Sequence, residues 1–365
     1  MINKVSLIIA IIFLAIGSVV KGQGNDGDVL DPSGFVTKYD SKFNGIGPTV
    51  YVLPAPRTKE EELVDSYKEK KDFYDSISRQ MDFQHLIEEY KITSNSGYLK
   101  QNFNPFPDTD DKWNQLLTKL EQNNNAILAA GLSNEYALQL LKNKEIDKAK
   151  TQLERGLRTI KATSFIREQN IIEYNLANLY LFAGNYDAAG SIHENVLRQA
   201  INNKELSEQA NSLMSIALKE AYSKNYRAAE NTVIRRAIPL YNKAKNPAGK
   251  VNAWIKLAKI YQLQNKHTEA QWFLIQARDL ANAKNIATEL LEIEYMLAYS
   301  KYIQQNYKVA IKEFEKAKSL ADEENNKILQ LAIHDKLGDI YLLMGNYQDA
   351  ENELSQYWRL RKILF

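Results

Sequence analysis

Four histidines and one glycine-rich segment are the residues of this sequence with the clearest chemical potential. The histidines are His85, His193, His267 and His334. Their spacing is not that of a metal site, which needs several ligands within a few ångströms of one point. The segment GQGNDG at residues 22–27 matches the pattern GxGxxG, but that pattern binds a dinucleotide only between a core strand and a helix. We therefore predict no metal and no cofactor.

Other catalytic patterns are missing from the sequence as well. The chain has no Cys, which excludes thiolate nucleophiles, thiolate metal sites and disulfides. It has no HExxH motif, nucleophile elbow or phosphate-binding loop. With 47 basic and 45 acidic residues the net charge is only +2, whereas nucleic-acid binders concentrate uncompensated Lys and Arg. We predict a protein that is not an enzyme and does not bind nucleic acid.

Residues 1–22 have the three-part pattern of a secretory signal peptide. Lys4 precedes an apolar run, Val5 to Val20, and Lys21-Gly22 follows as a small polar exit. The alternative is an uncleaved membrane anchor, which needs roughly 20 apolar residues, and otherwise we expect at most peripheral contact with a membrane. The sequence has no Asn-x-Ser/Thr site. We predict export to a bacterial periplasm or envelope, or secretion.

The next two segments differ in composition. Residues 23–57 are rich in Gly, Asp and Pro, which predicts an extended or disordered segment. Residues 58–129 form a predicted helical region: Thr58 and Glu61 make a capping box, and apolar residues at helical spacing continue to Ile92. We expect a loop around residues 94–97 and a further helix from Asp110.

A repeat of about 40 residues occupies residues 130–365. It is marked by Ala149, Ala189, Ala229, Ala270, Ala310 and Ala350, and twelve residues earlier by Ala137, Ala177, Ala217, Ala258, Ala298 and Gly338. Small residues let two antiparallel helices approach closely. Residues that tolerate a left-handed backbone, such as Gly184-Asn185 and Gly345-Asn346, lie between the two predicted helices. The spacing predicts about six helical hairpins stacked in a solenoid, and Pro239 is expected to distort the third.

The runs YNLANLYLFAGNYDAA from Tyr174 and KLGDIYLLMGNYQDA from Lys336 closely resemble the tetratricopeptide repeat. The resemblance implies an all-α fold: a right-handed α-α superhelix, preceded here by an irregular, partly helical N-terminal region. The usual repeat has 34 residues, so a period of 40 predicts longer helices.

The resemblance also implies that the first helix of each hairpin lines a concave groove. By position, the groove residues are Tyr174, Asn178, Phe182, Met214, Tyr222, Ile255, Lys259, Tyr295, Tyr299 and Tyr302. Exposed aromatic side chains with a polar tip suit recognition of a peptide or a partner helix, and they also stack on sugars. The competing interpretation is that Phe182, Met214 and Ile255 belong to the core between the helices.

The last helix is expected to expose apolar side chains, because no polar capping helix follows it in the sequence. The residues concerned are Trp358, Leu360, Ile363, Leu364 and Phe365. Such a patch favours a partner or a homodimer contact, and the alternative is that it packs under the preceding hairpin. The function that we predict is a non-enzymatic scaffold that binds a protein or peptide. A sensory or regulatory module of a signalling system is the alternative.

Overall fold

The computed structural model of the protein describes residues 57–71 and 74–365, with the side chains of residues 57–70 and 77–365. The predicted signal peptide, residues 23–56 of the predicted extended segment and the GQGNDG segment lie outside the described residues. None of the described helices is long and apolar enough to span a membrane.

Within the described part of the chain, four helices precede the repeats. They are α1 (Lys59–Lys71), α2 (Tyr74–Glu88), α3 (Ser96–Asn102) and α4 (Asp110–Gln122). The capping box at the start of α1 forms, because the Thr58 backbone N–H donates to Glu61 and the Glu61 backbone N–H donates to Thr58 Oγ1. The short helix α3 begins where the sequence predicted a loop. Its Leu99 is fully buried, so tertiary packing outweighs the weak local preference of this stretch.

Six helical hairpins follow. Their helices are α5 (Ala126–Lys142) and α6 (Ile146–Lys161), α7 (Ile166–Phe182) and α8 (Tyr186–Asn202), α9 (Leu206–Tyr222) with α10 (Tyr226–Asn231) and α11 (Ile238–Lys243), α12 (Pro247–Leu263) and α13 (His267–Lys284), α14 (Leu290–Ile303) and α15 (Tyr307–Glu323), and α16 (Lys327–Leu343) and α17 (Tyr347–Leu364). The two helices of each hairpin pack on each other, and successive hairpins pack side by side, which makes a helical solenoid.

Small residues and left-handed turns shape these hairpins as the spacing predicted. Every repeat-marking alanine is 0% exposed, and Gly338 is buried too. Because no side chain larger than a methyl group intervenes there, paired helices approach closely. The chain turns between helices through residues with positive φ, including Gly184 and Gly345 at 79° and 72°.

The third hairpin is distorted at Pro239. A π-helical turn, Thr232–Ala237, separates α10 from α11, and Pro239 lies in the first turn of α11. Proline has no backbone N–H and its ring clashes with the carbonyl four residues earlier. A widened turn just before proline relieves that clash, so the second helix continues around a bulge.

Helices of the N-terminal region cover both ends of the solenoid. At the first hairpin, α4 packs on α5, where the buried Trp113 ring stacks on Tyr136 with the ring centroids 4.7 Å apart. At the last hairpin, α1 packs on α17, and Tyr67 Oη donates to the Ala350 carbonyl at 2.7 Å. Our expectation that the last helix has no polar cover is therefore wrong. The covering helix comes from the other end of the chain.

Candidate functional site: the concave groove

A segment of the chain itself lies in the groove formed by the first helices of the hairpins. This groove segment comprises residues 77–94, which are most of α2 and the stretch that follows it. Its contacts run along the solenoid: it meets α16 and α14 near its start, α12 and α9 farther along, and α7 and α5 at its end. The groove therefore already holds a length of polypeptide.

Oppositely charged side chains join the groove segment to the floor of the groove. Asp82 pairs with Lys259 at 2.8 Å, and Glu89 pairs with Lys256 at 2.7 Å. Between them, His85 Nε2 lies 3.3 Å from Glu292. The carboxylate of Glu292 raises the pKa of His85 to about 10, so the imidazole is cationic at neutral pH. The ion pairs thus alternate in sign along α2.

Aromatic rings add contacts at the second hairpin. Phe182 of α7 packs against Phe83, with ring centroids 5.6 Å apart, and the Arg79 guanidinium lies 4.7 Å from the centre of the Phe182 ring. Lys91 Nζ lies 4.0 Å from the centre of the Tyr174 ring. These are cation–π contacts at ordinary distances. With Lys259, which pairs with Asp82, three of the predicted groove residues therefore contact polypeptide, although that polypeptide belongs to the same chain.

Two asparagines hold the main chain of the groove segment. Asn175 Nδ2 donates to the Lys91 carbonyl and the Lys91 backbone N–H donates to Asn175 Oδ1, both at 2.8 Å. Asn134 Nδ2 donates to the same carbonyl at 3.1 Å, and Tyr90 Oη donates to the Asn134 carbonyl at 2.8 Å. An amide that pairs with both backbone groups of one residue holds a peptide without regard to its side chain. Sequence reasoning missed both asparagines.

The ten predicted groove residues divide into two sets. Tyr174, Asn178, Met214, Ile255 and Tyr295 are buried, and Phe182, Tyr222, Lys259, Tyr299 and Tyr302 are partly buried. The expectation that all ten are exposed is therefore wrong. Met214 and Ile255, at 2% and 3% exposure, belong to the core of the solenoid, as the competing interpretation held for them. Tyr174 is covered because Lys91 lies over its ring.

A cavity of about 1030 Å³ lies beside the groove segment. One wall is α2 and the other is made by residues of α7, α9, α12 and α16 and by residues 287–292. Leu218, Tyr222 and Ile328 give it an apolar surface, and Glu289 and Glu324 line it with carboxylates. Burial, reinforced by Glu292, raises the pKa of Glu289, and burial with Glu88 nearby raises that of Glu324. The cavity is large enough for several amino-acid residues.

The predicted C-terminal patch is only partly exposed. Leu360 is fully buried, Trp358 and Leu364 are partly buried, and Ile363 and Phe365 are 61% and 52% exposed. Leu360 is buried because it belongs to the apolar core that includes α16, α17 and Tyr67 of α1. The Leu364 carbonyl accepts a hydrogen bond from Lys144 Nζ of the first hairpin at 3.3 Å.

The four histidines lie apart, in different environments. His193 is fully buried against Tyr174, and burial lowers its pKa to about 3. His334 Nδ1 lies 2.5 Å from Glu353, and His267 packs near Tyr299. Across residues 57–71 and 74–365, no three His, Asp or Glu side chains are grouped so that they could hold a metal ion.

A solenoid of antiparallel helical hairpins with a polypeptide along its concave face is the architecture of helical-repeat proteins. Family models described as tetratricopeptide repeat match residues 174–207 and 289–362. These two stretches of the chain are therefore tetratricopeptide repeats. No curated protein matches it.

Solved structures share the fold at low sequence identity. A Rap protein complexed with competence and sporulation factor is 10% identical, with a TM-score of 0.52 over 84% of this chain and 99% of that one. A signal-transduction ATPase with a tetratricopeptide-repeat sensor from Pyrococcus horikoshii is 16% identical, with a TM-score of 0.53 over 84% of this chain and 44% of that one. Aspartyl phosphate phosphatase F from Bacillus subtilis is 12% identical, with a TM-score of 0.50 over 85% and 96%.

Proposed function

We propose that this protein is a non-enzymatic scaffold that binds a polypeptide partner along its concave groove. One observation carries the proposal: the groove already holds residues 77–94 by ion pairs, by ring contacts and by amide hydrogen bonds to the main chain. A surface that holds one peptide segment through its main chain has the chemistry to hold another. The cavity beside α2 gives a partner room to enter.

The partner's first contacts are expected at the partly buried side chains that line this cavity. Leu218 and Tyr222 project from α9 into it, and Tyr299 and Tyr302 form a neighbouring row of rings on α14. Large rings supply contact area at a small cost in conformational entropy. The cavity is the proposed entry point, and the rows of tyrosine extend it along the groove.

The test is affinity capture of partners from the native source. The mature chain is the bait in one sample, and a variant in which Leu218 and Tyr222 are both changed to Ala is the bait in another. The matched control is Trp272→Ala, which removes a ring that is 57% exposed on α13. We expect a polypeptide that the parent and the control capture and the double variant loses. Equal capture by all three proteins would contradict binding of the partner in the groove. The C-terminal residues Ile363 and Phe365 would then be the leading contact, including contact with a second copy of the chain.

Export to the envelope or the medium is the second part of the proposal. It rests on the signal-peptide pattern of residues 1–22. Determination of the N-terminal residue of the protein isolated from its native source tests it. A chain that starts near residue 23 supports export with cleavage, whereas a chain that retains residues 1–22 in a membrane fraction supports the anchored alternative.

A sensory or regulatory module is the alternative function, and one observation favours it. The Rap protein in the structure named above is complexed with a factor, and here the occupant of the groove belongs to the same chain. A ligand that displaced residues 77–94 would change the surface that the protein presents. Hydrogen exchange of α2 with and without a captured partner separates the two functions, because a regulatory role requires its protection to change.

A further inference from the structure

The groove segment is packed less completely than the hairpins around it. Between residues 77 and 88, only Ile77, Phe83 and Leu86 are buried. The cavity of about 1030 Å³ lies directly against α2, so part of the helix borders open space and not packed side chains. Charged pairs hold much of the rest of the contact. Ile77 belongs to one apolar cluster of the solenoid, and Phe83 and Leu86 belong to the other. These three side chains anchor the segment, and the rest of its surface is not packed as a core.

The charges of the groove segment follow an order that the groove matches. Asp82 lies in α2 and Glu89 directly follows its last residue. The two are seven residues apart, which places them near one line along the helix axis. They meet Lys259 and Lys256 of α12, and His85 between them meets Glu292. Phe83 and Leu86 occupy the adjoining apolar face and are 7% and 6% exposed. The groove therefore matches a segment whose side-chain charges are negative, positive and negative in order, beside two apolar side chains.

The lysines on the floor depend on that occupant. Among the described residues, the salt bridges formed by Lys256 and Lys259 join them to Glu89 and Asp82, and both bridges cross to the groove segment. Each lysine is partly buried, at 16% and 33% side-chain exposure. A buried cation that loses its counter-charge is costly. A segment that takes the place of α2 restores these two pairs only if it brings carboxylates to the same two positions.

We infer that the partner of the groove is an amphipathic helix with two carboxylates seven residues apart, a cationic residue between them and an aromatic residue beside them, and that it binds by replacing α2. The inference deepens the proposed function and rests on it. The groove segment occupies the site at the high effective concentration of a tethered ligand, on the order of millimolar. A free partner therefore competes with it and binds tightly only when α2 is released.

The experiment uses the full chain and a synthetic peptide of residues 77–91, labelled at one end. In the variant D82K/E89K, both carboxylates of the groove segment are reversed, so α2 no longer matches Lys259 and Lys256. We expect this variant to bind the peptide with saturation and at least about tenfold more tightly than the parent chain, because a millimolar competitor has been removed. A peptide that carries the same two reversals should not bind.

Two further chains control this measurement. E194K/E351K makes the same change in net charge at exposed positions of α8 and α17 and should bind the peptide no better than the parent. The fourfold variant D82K/E89K/K256E/K259E restores opposite charges between α2 and the floor, so peptide binding should fall back to the parent level. If D82K/E89K keeps its helix content and does not bind the peptide, or if E194K/E351K binds it equally well, the inference is overturned.

A measurement on the parent chain keeps the test independent of the folding of any variant. Amide hydrogen exchange should be faster in residues 77–88 than in α12, because a replaceable occupant opens locally. Equal protection of α2 and α12 would overturn the inference. Failure of the proposed function gives a different result. In that case D82K/E89K binds the peptide of residues 77–91, but affinity capture yields no native polypeptide that binds through the cavity.

Discussion

Two interfaces of the molecule differ in composition. One is the interface between the helices of a hairpin, and the other is the interface between the groove and residues 77–94. The hairpins meet through alanines that are fully buried, with large apolar side chains such as Phe314 beside them at 0% exposure. The groove meets its occupant through three buried apolar side chains, Ile77, Phe83 and Leu86, and otherwise through ion pairs, amide hydrogen bonds and a cavity. Both interfaces lie within one chain, and the second adds polar contacts to its apolar anchors.

This difference shows which contacts define the fold and which contacts can be exchanged. Apolar burial and close packing account for most of the stability of a domain, so the hairpins are fixed. Polar interfaces of modest size within a chain resemble transient contacts between proteins. A binding groove requires polar contacts of this kind with a segment that can be replaced.

The largest expected effect is at a hairpin interface. Phe314→Ala removes a ring that is 0% exposed in α15 and should lower the free energy of unfolding by about 3–5 kcal/mol, because the cavity adds to the lost transfer energy. Urea unfolding followed by circular dichroism measures it. Trp272→Ala is the control, since its ring is 57% exposed, and a loss there as large as at Phe314 would refute the assignment of the core.

The next effect is at the contact between α1 and the last hairpin. In Gly338→Ala, the added Cβ would lie 2.2 Å from Tyr67 Oη, so α1 must shift, at a cost of about 1–3 kcal/mol. The same substitution in a Tyr67→Phe chain should cost less, because the atom that clashes is gone. Urea unfolding of the four chains of this cycle tests it. Equal costs in both backgrounds would show that Tyr67 does not pack on Gly338.

A third effect separates the two interfaces by pH. Burial lowers the pKa of His193 to about 3, so the unfolded state binds a proton that the folded state does not as the pH falls below about 6.5. Stability should therefore fall with acidification, by up to about 1.4 kcal/mol per pH unit from this group. His193→Phe should flatten the urea-unfolding profile between pH 6.5 and pH 4. An unchanged profile would contradict the assignment.

Local patterns in the sequence predict the hairpins well, and they predict the groove only in outline. Ala177 and Ala189 lie within one hairpin, so their spacing carries the information about their contact. Tyr186 and Tyr347 each begin the second helix of a hairpin, and the spacing within the hairpin predicts these positions too. The tetratricopeptide resemblance adds the concave surface, and the structure contains it.

The occupant of the groove leaves no such trace in the sequence. Asp82 and Lys259 are separated by 177 residues, and Tyr67 and Ala350 by 283. No periodic pattern links residues so far apart. The amphipathic pattern of α2 indicates only that one face is buried, not what covers it. Asn134 and Asn175 are two of several polar residues in α5 and α7, so nothing in the local sequence marked them as the residues that hold the groove segment.

The smallest expected effect is at His85, and its sign is opposite to that of His193. Glu292 raises the pKa of His85 to about 10, so the folded state holds a proton that the unfolded state releases above about pH 6.5. The stabilisation is fully present below pH 6.5 and is lost as the pH rises through 10. The side chain is 35% exposed, so solvent screening weakens the contribution. His85→Gln should therefore be less stable than the parent at pH 6 and equal to it near pH 10, as measured by urea unfolding.

His193→Phe, measured in parallel, should differ from the parent on the acid side instead. If His85→Gln and His193→Phe diverge from the parent in the same pH range, the groove segment is buried as the hairpin core is, and the contrast between the two interfaces fails.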